Sequence, residues 1–260
     1  MRVQPTANDI PALRLVALRK DYGTTPVLAG VSFDVRAGEL FGLIGVNGAG
    51  KTTLLKCLLD LCDVDQGSVE IFGVPHRRTA ARARLAYLPE RFNPPFYLTG
   101  RDFLRYMAEL HRAPYDADAV VRIFDALDLD PAALAKPVRS YSKGMTQKLG
   151  LAACLLSGKE LQILDEPASG LDPKARALLK RELAALRDAG RTVFFSSHAL
   201  ADVEQLCDRV AVLHGGELRF TGSVVELKQA FGGMDLEQAF LTCIGEARTM
   251  TSRRTGDLAQ

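Results

Sequence analysis

Apolar and polar residues alternate along this chain in two periods, and the change from one to the other maps its organisation. "VSFDVR" puts Val31, Phe33 and Val35 on one face and Ser32, Asp34 and Arg36 on the other, the two-residue period of a half-buried strand. The apolar-rich "LRLVAL" before it reads as a second strand. "ELFGLIG" is apolar almost throughout, as a strand covered on both faces is, and a Gly-rich turn leads from it into the helical "KTTLLKCLLDL". That is the first half of a parallel β-α unit.

Between residues 95 and 157 the period becomes helical. "LTGRDFLRYMAEL" carries Thr99 and Asp102 at capping-box spacing, then Phe103, Leu104, Met107 and Leu110 on one predicted face. "ADAVVRIFDALDL" repeats this with Val120, Val121, Phe124 and Leu127. An all-helical insert is therefore expected inside an α/β domain. Beyond it, strands "LQILDE", "RTVFFSS" and "RVAVLH" alternate with helices "PKARALLKRELAALRDAG" and "ALADVEQLC". Gly215-Gly216 then turns the chain into "ELRFTG" as a hairpin. The expected domain runs over 12–245, with a flexible start at 1–11 and a polar tail at 246–260. The basic run "HRRTAARARL" (His76 to Leu85) reads as a solvated helix face, with anionic lipid headgroups as the other candidate contact.

Composition narrows the classes. Across 260 residues, 33 basic against 31 acidic side chains give a net charge of +2, which offers no electrostatic footprint for nucleic acid. Cys57, Cys62, Cys154, Cys207 and Cys243 form no C-x-x-C pair and read as small buried hydrophobes in a reducing compartment. The opening "MRVQPTANDIPA" lacks the apolar core of a signal peptide, and "LGLAACLLSG", the longest apolar candidate, is too short to span a bilayer. A soluble protein is expected, one that docking on a membrane protein would suit.

"GVNGAGKT" (Gly45 to Thr52) lies between a strand and a helix, the context a phosphate loop requires. Glycines let successive N–H groups turn inward onto phosphate oxygens, Lys51 brings a cation to the β- and γ-phosphates, and Thr52 offers a hydroxyl to Mg²⁺. "LQILDEP" ends an apolar strand on Asp165 and Glu166. With a phosphate loop in the same sheet, Asp165 is placed to hold nucleotide-bound Mg²⁺. Glu166 is then free to take a proton from attacking water, a role suited by the raised pKa that adjacent acids produce. His198 in "SSHAL" follows a strand ending on the same edge, within reach of a γ-phosphate. His76, His111 and His214 lack metal-ligand spacing. A second candidate anion site, "SYSKGMTQKL" (Ser140 to Leu149), opens another helix.

A phosphate loop, a helical insert ending in "YSKGMTQKL", then "LQILDEPASGLDP", then a strand and "SSH" together resemble the ATP-binding subunit of an ABC transporter, over about residues 12–245. The resemblance implies a P-loop NTPase core of the α/β class with a mostly parallel sheet, an N-terminal antiparallel β subdomain and the helical subdomain already inferred. It implies ATP and Mg²⁺ as cofactors and ATP hydrolysis as the reaction. Tyr22 would stack on adenine; Gly45, Asn47, Gly48, Ala49, Gly50, Lys51, Thr52 and Thr53 would hold the phosphates and Mg²⁺. Glu166 would be the catalytic base and His198 would contact the γ-phosphate. Ser142 and Gly144, in the signature loop, would bind the γ-phosphate held by a second cassette, and Asp172 would reach across the same interface. The partners implied are a homodimeric or paired cassette and a separate polytopic permease. The place implied is cytoplasmic, peripheral on the inner face of the membrane through that permease.

The chain departs from the family pattern twice. Lys143 stands where the signature usually has glycine; it can turn to phosphate or to solvent, and solvent is favoured because long cationic side chains extend outward. Glu90, in "YLPERF", stands where glutamine is usual; it keeps an acceptor for Mg²⁺ or water and, ionised, loses the amide donor. "YLPE", "YSKGMTQKL" and the end "DLEQAFLTCIG" resemble cassettes that serve export permeases. The alternative, a soluble ABC-type ATPase of DNA repair or translation, usually shows long coiled coils, fused cassettes or basic arms, and none appears in the sequence. A kinase or GTPase on the same loop would need its own substrate or guanine-reading motif; no N-K-x-D is present.

Overall fold

The computed structural model describes residues 10–233 and 235–245. Nearly all of the expected loose ends, 1–9 and 246–260, lies outside those residues.

Strands β1 (Leu13–Tyr22) and β2 (Thr25–Val35) pair as an antiparallel hairpin in the β subdomain that the resemblance implies, and Val31, Phe33 and Val35 are buried as their alternation requires. With β4 (Gln66–Ile71) and β5 (Val74–Pro75) they make a four-stranded antiparallel sheet ordered β2-β1-β4-β5. The second sheet is ordered β10-β9-β3-β8-β7-β6. Its members are β3 (Leu40–Ile44), β6 (Leu85–Leu88), β7 (Leu161–Asp165), β8 (Thr192–Ser197), β9 (Arg209–His214) and β10 (Glu217–Ser223). All pairings are parallel except that of β9 with β10, the hairpin turned by Gly215-Gly216. Helices α6 (Pro173–Asp188) and α7 (Leu200–Leu206) cross over between parallel strands, while α1 (Lys51–Leu58) leads from β3 to β4 of the first sheet. The fold is α/β with a mostly parallel sheet, an antiparallel β subdomain and a helical insert.

An aromatic stack joins the two sheets. Phe33 on β2, Phe41 on β3 and Phe194 on β8 lie nearly parallel, with ring centroids 5.5, 5.9 and 6.1 Å apart. All three are buried, so the stack adds contact geometry to area burial.

The insert comprises α3 (Gly100–His111), α4 (Ala117–Ala126), two 3₁₀ turns (Pro131–Ala135, Val138–Ser140) and α5 (Lys143–Leu156). Thr99 caps α3 by accepting from the Asp102 backbone N–H at 3.1 Å, and its hydroxyl donates to the Asp102 carboxylate at 2.6 Å. The aspartate, one carbon shorter than the glutamate of a full box, meets the hydroxyl. Phe103, Leu104, Val120, Phe124 and Leu127 are buried as predicted, whereas Leu110 (59% exposed) and Val121 (39%) face outward. Both sit at the edge of an otherwise apolar stripe. A short helix α8 (Val224–Ala230), closed by a full capping box between Ser223 and Glu226, leads to a last helix over 236–245.

The basic run is not one solvated face. His76 is buried with its Nδ1 3.1 Å from the Val69 carbonyl, and only Thr79–Arg82 (α2) is helical. Arg82 donates to Asp60 at 2.7 Å, and Arg84 grips Glu160 with two bonds while its guanidinium lies 3.7 Å from the Phe72 ring centroid. These cations are engaged within the chain.

Candidate nucleotide site

The C-terminal end of β3 runs straight into the glycine loop. Gly48 (φ 80°) and Gly50 (φ 105°) adopt the left-handed conformation that a β-carbon would strain. At Gly45 the constraint is proximity: a β-carbon there would run into the Leu213 carbonyl oxygen of β9. Lys51 opens α1 and is 8% exposed, and its ammonium donates to the Gly45 carbonyl at 2.7 Å and to that of Val46 at 3.4 Å. The loop's own carbonyls thus fix the cation at the centre of its curve.

Around the loop is a cleft of about 530 Å³ lined by Val27, Val46 to Thr53, Glu90, Asp165, Glu166, Ser169 and His198. Residues from four separated segments, three expected to meet from their motifs and Glu90 from the resemblance, therefore share one cavity. Asp165 ends β7 and is 3% exposed. Ser196 of β8 donates to Asp165 Oδ1 at 2.5 Å, and the same hydroxyl accepts from the Glu166 backbone N–H at 3.0 Å. Burial, followed by the charges of Glu90 and Glu166, pushes the Asp165 pKa up, while the Ser196 bond works against that rise. Glu166 takes a left-handed backbone (φ 49°), and its Oε2 lies 2.8 Å from Nδ1 of His198. The contact orients the imidazole against the carboxylate proposed as base.

Oxygen donors from Thr52, Asp165 and Glu90 converge on this cleft, and oxygen is what Mg²⁺ prefers. Three carboxylates crowd one lysine there, and the upward pressure on Asp165 is the mark of a site that a cation would relieve. Among the described residues no group of three or more His, Cys, Asp or Glu side chains is arranged to hold a metal alone.

Other expected site residues stand apart. Tyr22 ends β1, half exposed, with the Lys20 ammonium 5.4 Å from its ring centroid, and is not among the residues lining the phosphate cleft. Ser142 is exposed and caps α5, its hydroxyl accepting from the Met145 N–H at 3.2 Å; Gly144 follows in the first turn. Asp172 caps α6 by accepting from the Ala175 N–H at 2.8 Å. Lys143 is exposed, and its carbons lie 3.2–3.6 Å from where a β-carbon on Gly170 would sit, so the stem covers that glycine of "SGLD".

Ser196 and Gln147 carry roles the motifs did not assign. Buried Gln147 on α5 donates to the Pro167 carbonyl at 3.2 Å, tying the second loop's helix to the turn after Glu166. Its signal in the sequence was a glutamine inside an apolar helix. Ser196 had only its place beside Ser197 and His198.

Comparison with known proteins agrees with this geometry. The model of the ABC transporter family matches residues 28–169. An ABC transporter ATP-binding protein of Nostoc sp. is 42% identical over 236 residues, 86% of this chain and 70% of the relative. One from Synechocystis sp. is 43% identical over 203 residues, 76% of this chain and 56% of the relative. The Nod factor export ATP-binding protein I of Rhizobium meliloti is 37% identical over 216 residues, 82% of this chain and 64% of the relative. The chain thus spans 56–70% of the length of these three relatives. A solved ATP-binding subunit of an ABC transporter superposes with a TM-score of 0.82 at 30% identity, covering 89% of this chain and 99% of that one. No helix among the described residues is long and apolar enough to cross a membrane. A phosphate loop meeting an acidic strand end in one cleft, matched by a family model over more than half its length, places this chain in the ABC transporter ATP-binding family of transport ATPases.

Proposed function

We propose that the chain works as one of two paired cassettes that close around two ATP molecules and power a separate polytopic permease, in the direction of export. The observation that carries the pairing is the position of Ser142 and Gly144. They stand at the start of α5, outside the lining of the chain's own phosphate cleft, and a helix N-terminus suits an anion. A second copy, or a paired cassette, would bring its phosphates to that turn, with Asp172 on the same interface. Similarity to Nod factor export ATP-binding proteins supports export as the direction. Docking on the permease would hold the chain, on the cytoplasmic side, at the inner face of the membrane.

Within each site Gly45 to Thr53 would wrap the phosphates, Lys51 would neutralise their charge, and Tyr22 would stack on adenine. Thr52, Asp165 and Glu90 would hold Mg²⁺, which when bound polarises the phosphate oxygens. Glu166 accepts the proton of the attacking water; His198, set 2.8 Å from it, orients that carboxylate and reaches toward the γ-phosphate. Base catalysis supplies roughly 10²–10⁴-fold, and charge stabilisation by Lys51 and the cation is the larger part.

Glu166→Gln tests both halves. The variant is expected to bind ATP, lose hydrolysis, and run as an ATP-dependent dimer in light scattering. Hydrolysis at the unmodified rate would remove Glu166 as base, and a monomer at saturating ATP would remove the pairing. Mild detergent extraction is expected to bring down a multi-span protein with the chain; recovery of ribosomes or DNA alone would sink the permease assignment.

A further inference from the structure

Two of the five cysteines do more than fill space. Cys57 is fully buried on α1, six residues beyond Lys51, and Cys62 is half-buried in the turn that follows, with their sulfurs 3.5 Å apart. That turn lies at the surface: Leu61 is 64% exposed and Asp60 has a left-handed backbone (φ 60°). It is tied to β1 by Asp65, which accepts from the Lys20 ammonium at 3.0 Å and from the Asp21 N–H at 2.7 Å. Lys20 and Asp21, held by that aspartate, directly precede Tyr22, whose phenol pKa is pushed up by partial desolvation and then by the charge of Cys62. One short segment therefore holds a thiol 3.5 Å from a second one and is bonded to the two residues that precede Tyr22.

A disulfide needs its sulfurs about 2.05 Å apart, so the pair must close by about 1.5 Å, a displacement that a surface turn can make. We infer that Cys57 and Cys62 are a thiol–disulfide modification site, taking a small disulfide of the glutathione class as co-reactant, and that the cross-link weakens adenine-nucleotide binding by shifting the turn that Asp65 ties to Lys20 and Asp21, next to Tyr22. The nucleotide half of this inference rests on Tyr22 as the adenine-stacking residue. Burial pushes the Cys57 thiol up to about 12, so half-buried Cys62 meets the co-reactant first. The Cys62 thiolate attacks the small disulfide and releases one small thiol. Cys57 then attacks the Cys62 sulfur of the mixed disulfide, its proton passing to the second small thiolate as that leaves. Two protein thiols are oxidised and one small disulfide is reduced to two thiols.

The test treats the full chain with glutathione disulfide, maps peptides by mass, and measures binding of a fluorescent ATP analogue. A Cys57–Cys62 cross-link is expected, with the analogue's Kd rising about fivefold and recovering on reduction with dithiothreitol. In Cys62→Ser, oxidant is expected to leave Kd unchanged. Free thiols after treatment, or a glutathione adduct on Cys62 with no cross-link, would overturn the site; a cross-link with unchanged Kd would overturn its effect on the nucleotide. Reduced Tyr22→Ala separates the two readings. If it binds the analogue as well as the unmodified chain, the adenine assignment fails, and the peptide masses still decide the cross-link.

Discussion

Removing the Ser196 hydroxyl tests how the acidic strand end is held. Ser196→Ala deletes one bond to the Asp165 carboxylate and the acceptor of the Glu166 N–H, at a position that is 0% exposed. Bonds to charged groups contribute about 1.5–3 kcal/mol and neutral ones about 1 kcal/mol, so a loss of about 3 kcal/mol is expected at neutral pH. The loss should depend on pH. Asp165 already has a folded-state pKa above its unfolded value, and the Ser196 bond opposes that rise, so the variant raises it further. A carboxyl shifted upward contributes stability that is fully present below its unfolded pKa and is lost as pH rises through the folded one. The gap between the two proteins should therefore narrow as pH falls through the folded pKa of Asp165, toward about 2 kcal/mol once the lost bond is to a neutral acid. Urea midpoints on either side of that pKa measure it, with m unchanged. In turnover the variant should lose about 10–100-fold in kcat, the range for a group that orients a ligand residue. A destabilisation under about 0.5 kcal/mol at neutral pH, or one that grows as pH falls, would refute the reasoning.

Further substitutions probe other parts of the cleft. Glu90→Gln should leave ATP affinity intact and change kcat only about two- to threefold, read by steady-state phosphate release; loss of binding would remove Glu90 from the site. Ser142→Arg should leave ATP binding by a single chain unchanged while preventing the ATP-dependent dimer in light scattering. Gly45→Ala should abolish ATP binding and destabilise by about 1–3 kcal/mol in urea unfolding, because the new methyl meets the Leu213 carbonyl and the loop must shift. Arg84→Ala should cost about 1 kcal/mol through the lost Glu160 pair and Phe72 contact, both partly exposed.

Those residues also show where the sequence was legible and where it stopped. The glycine loop, the acidic strand end and His198 announce themselves because each is a polar interruption at the end of an apolar run. The sheet then brings those ends to one edge. Ser196 gives no such signal: a serine in "TVFFSS" reads as a strand residue until β7 is laid beside it. Cys57 and Cys62 escape because their spacing matters only once α1 ends at Leu58 and the chain folds back. Leu110 and Val121 were drawn inward by a period whose apolar stripe is wider than the surface α3 and α4 bury. In β1, the left-handed Ala17 (φ 48°), whose N–H donates to the Ser32 hydroxyl at 2.7 Å, follows from the β1–β2 register and from no residue preference.

The position of β3 in the second sheet bears on how the chain is made. All five of its residues are buried, and its neighbours in the sheet among the described residues, β8 and β9, begin at Thr192 and Arg209. During synthesis this apolar strand must wait for roughly 150 more residues, about 8–30 s at translation rates of about 5–20 residues per second. The phosphate loop that hangs from its end has no fixed support until then. A nascent chain stalled before β8 should be a client for chaperones and an easy target for proteases. For the same reason residues 28–169, the stretch that matches the family model, contain β3 without either strand it pairs with.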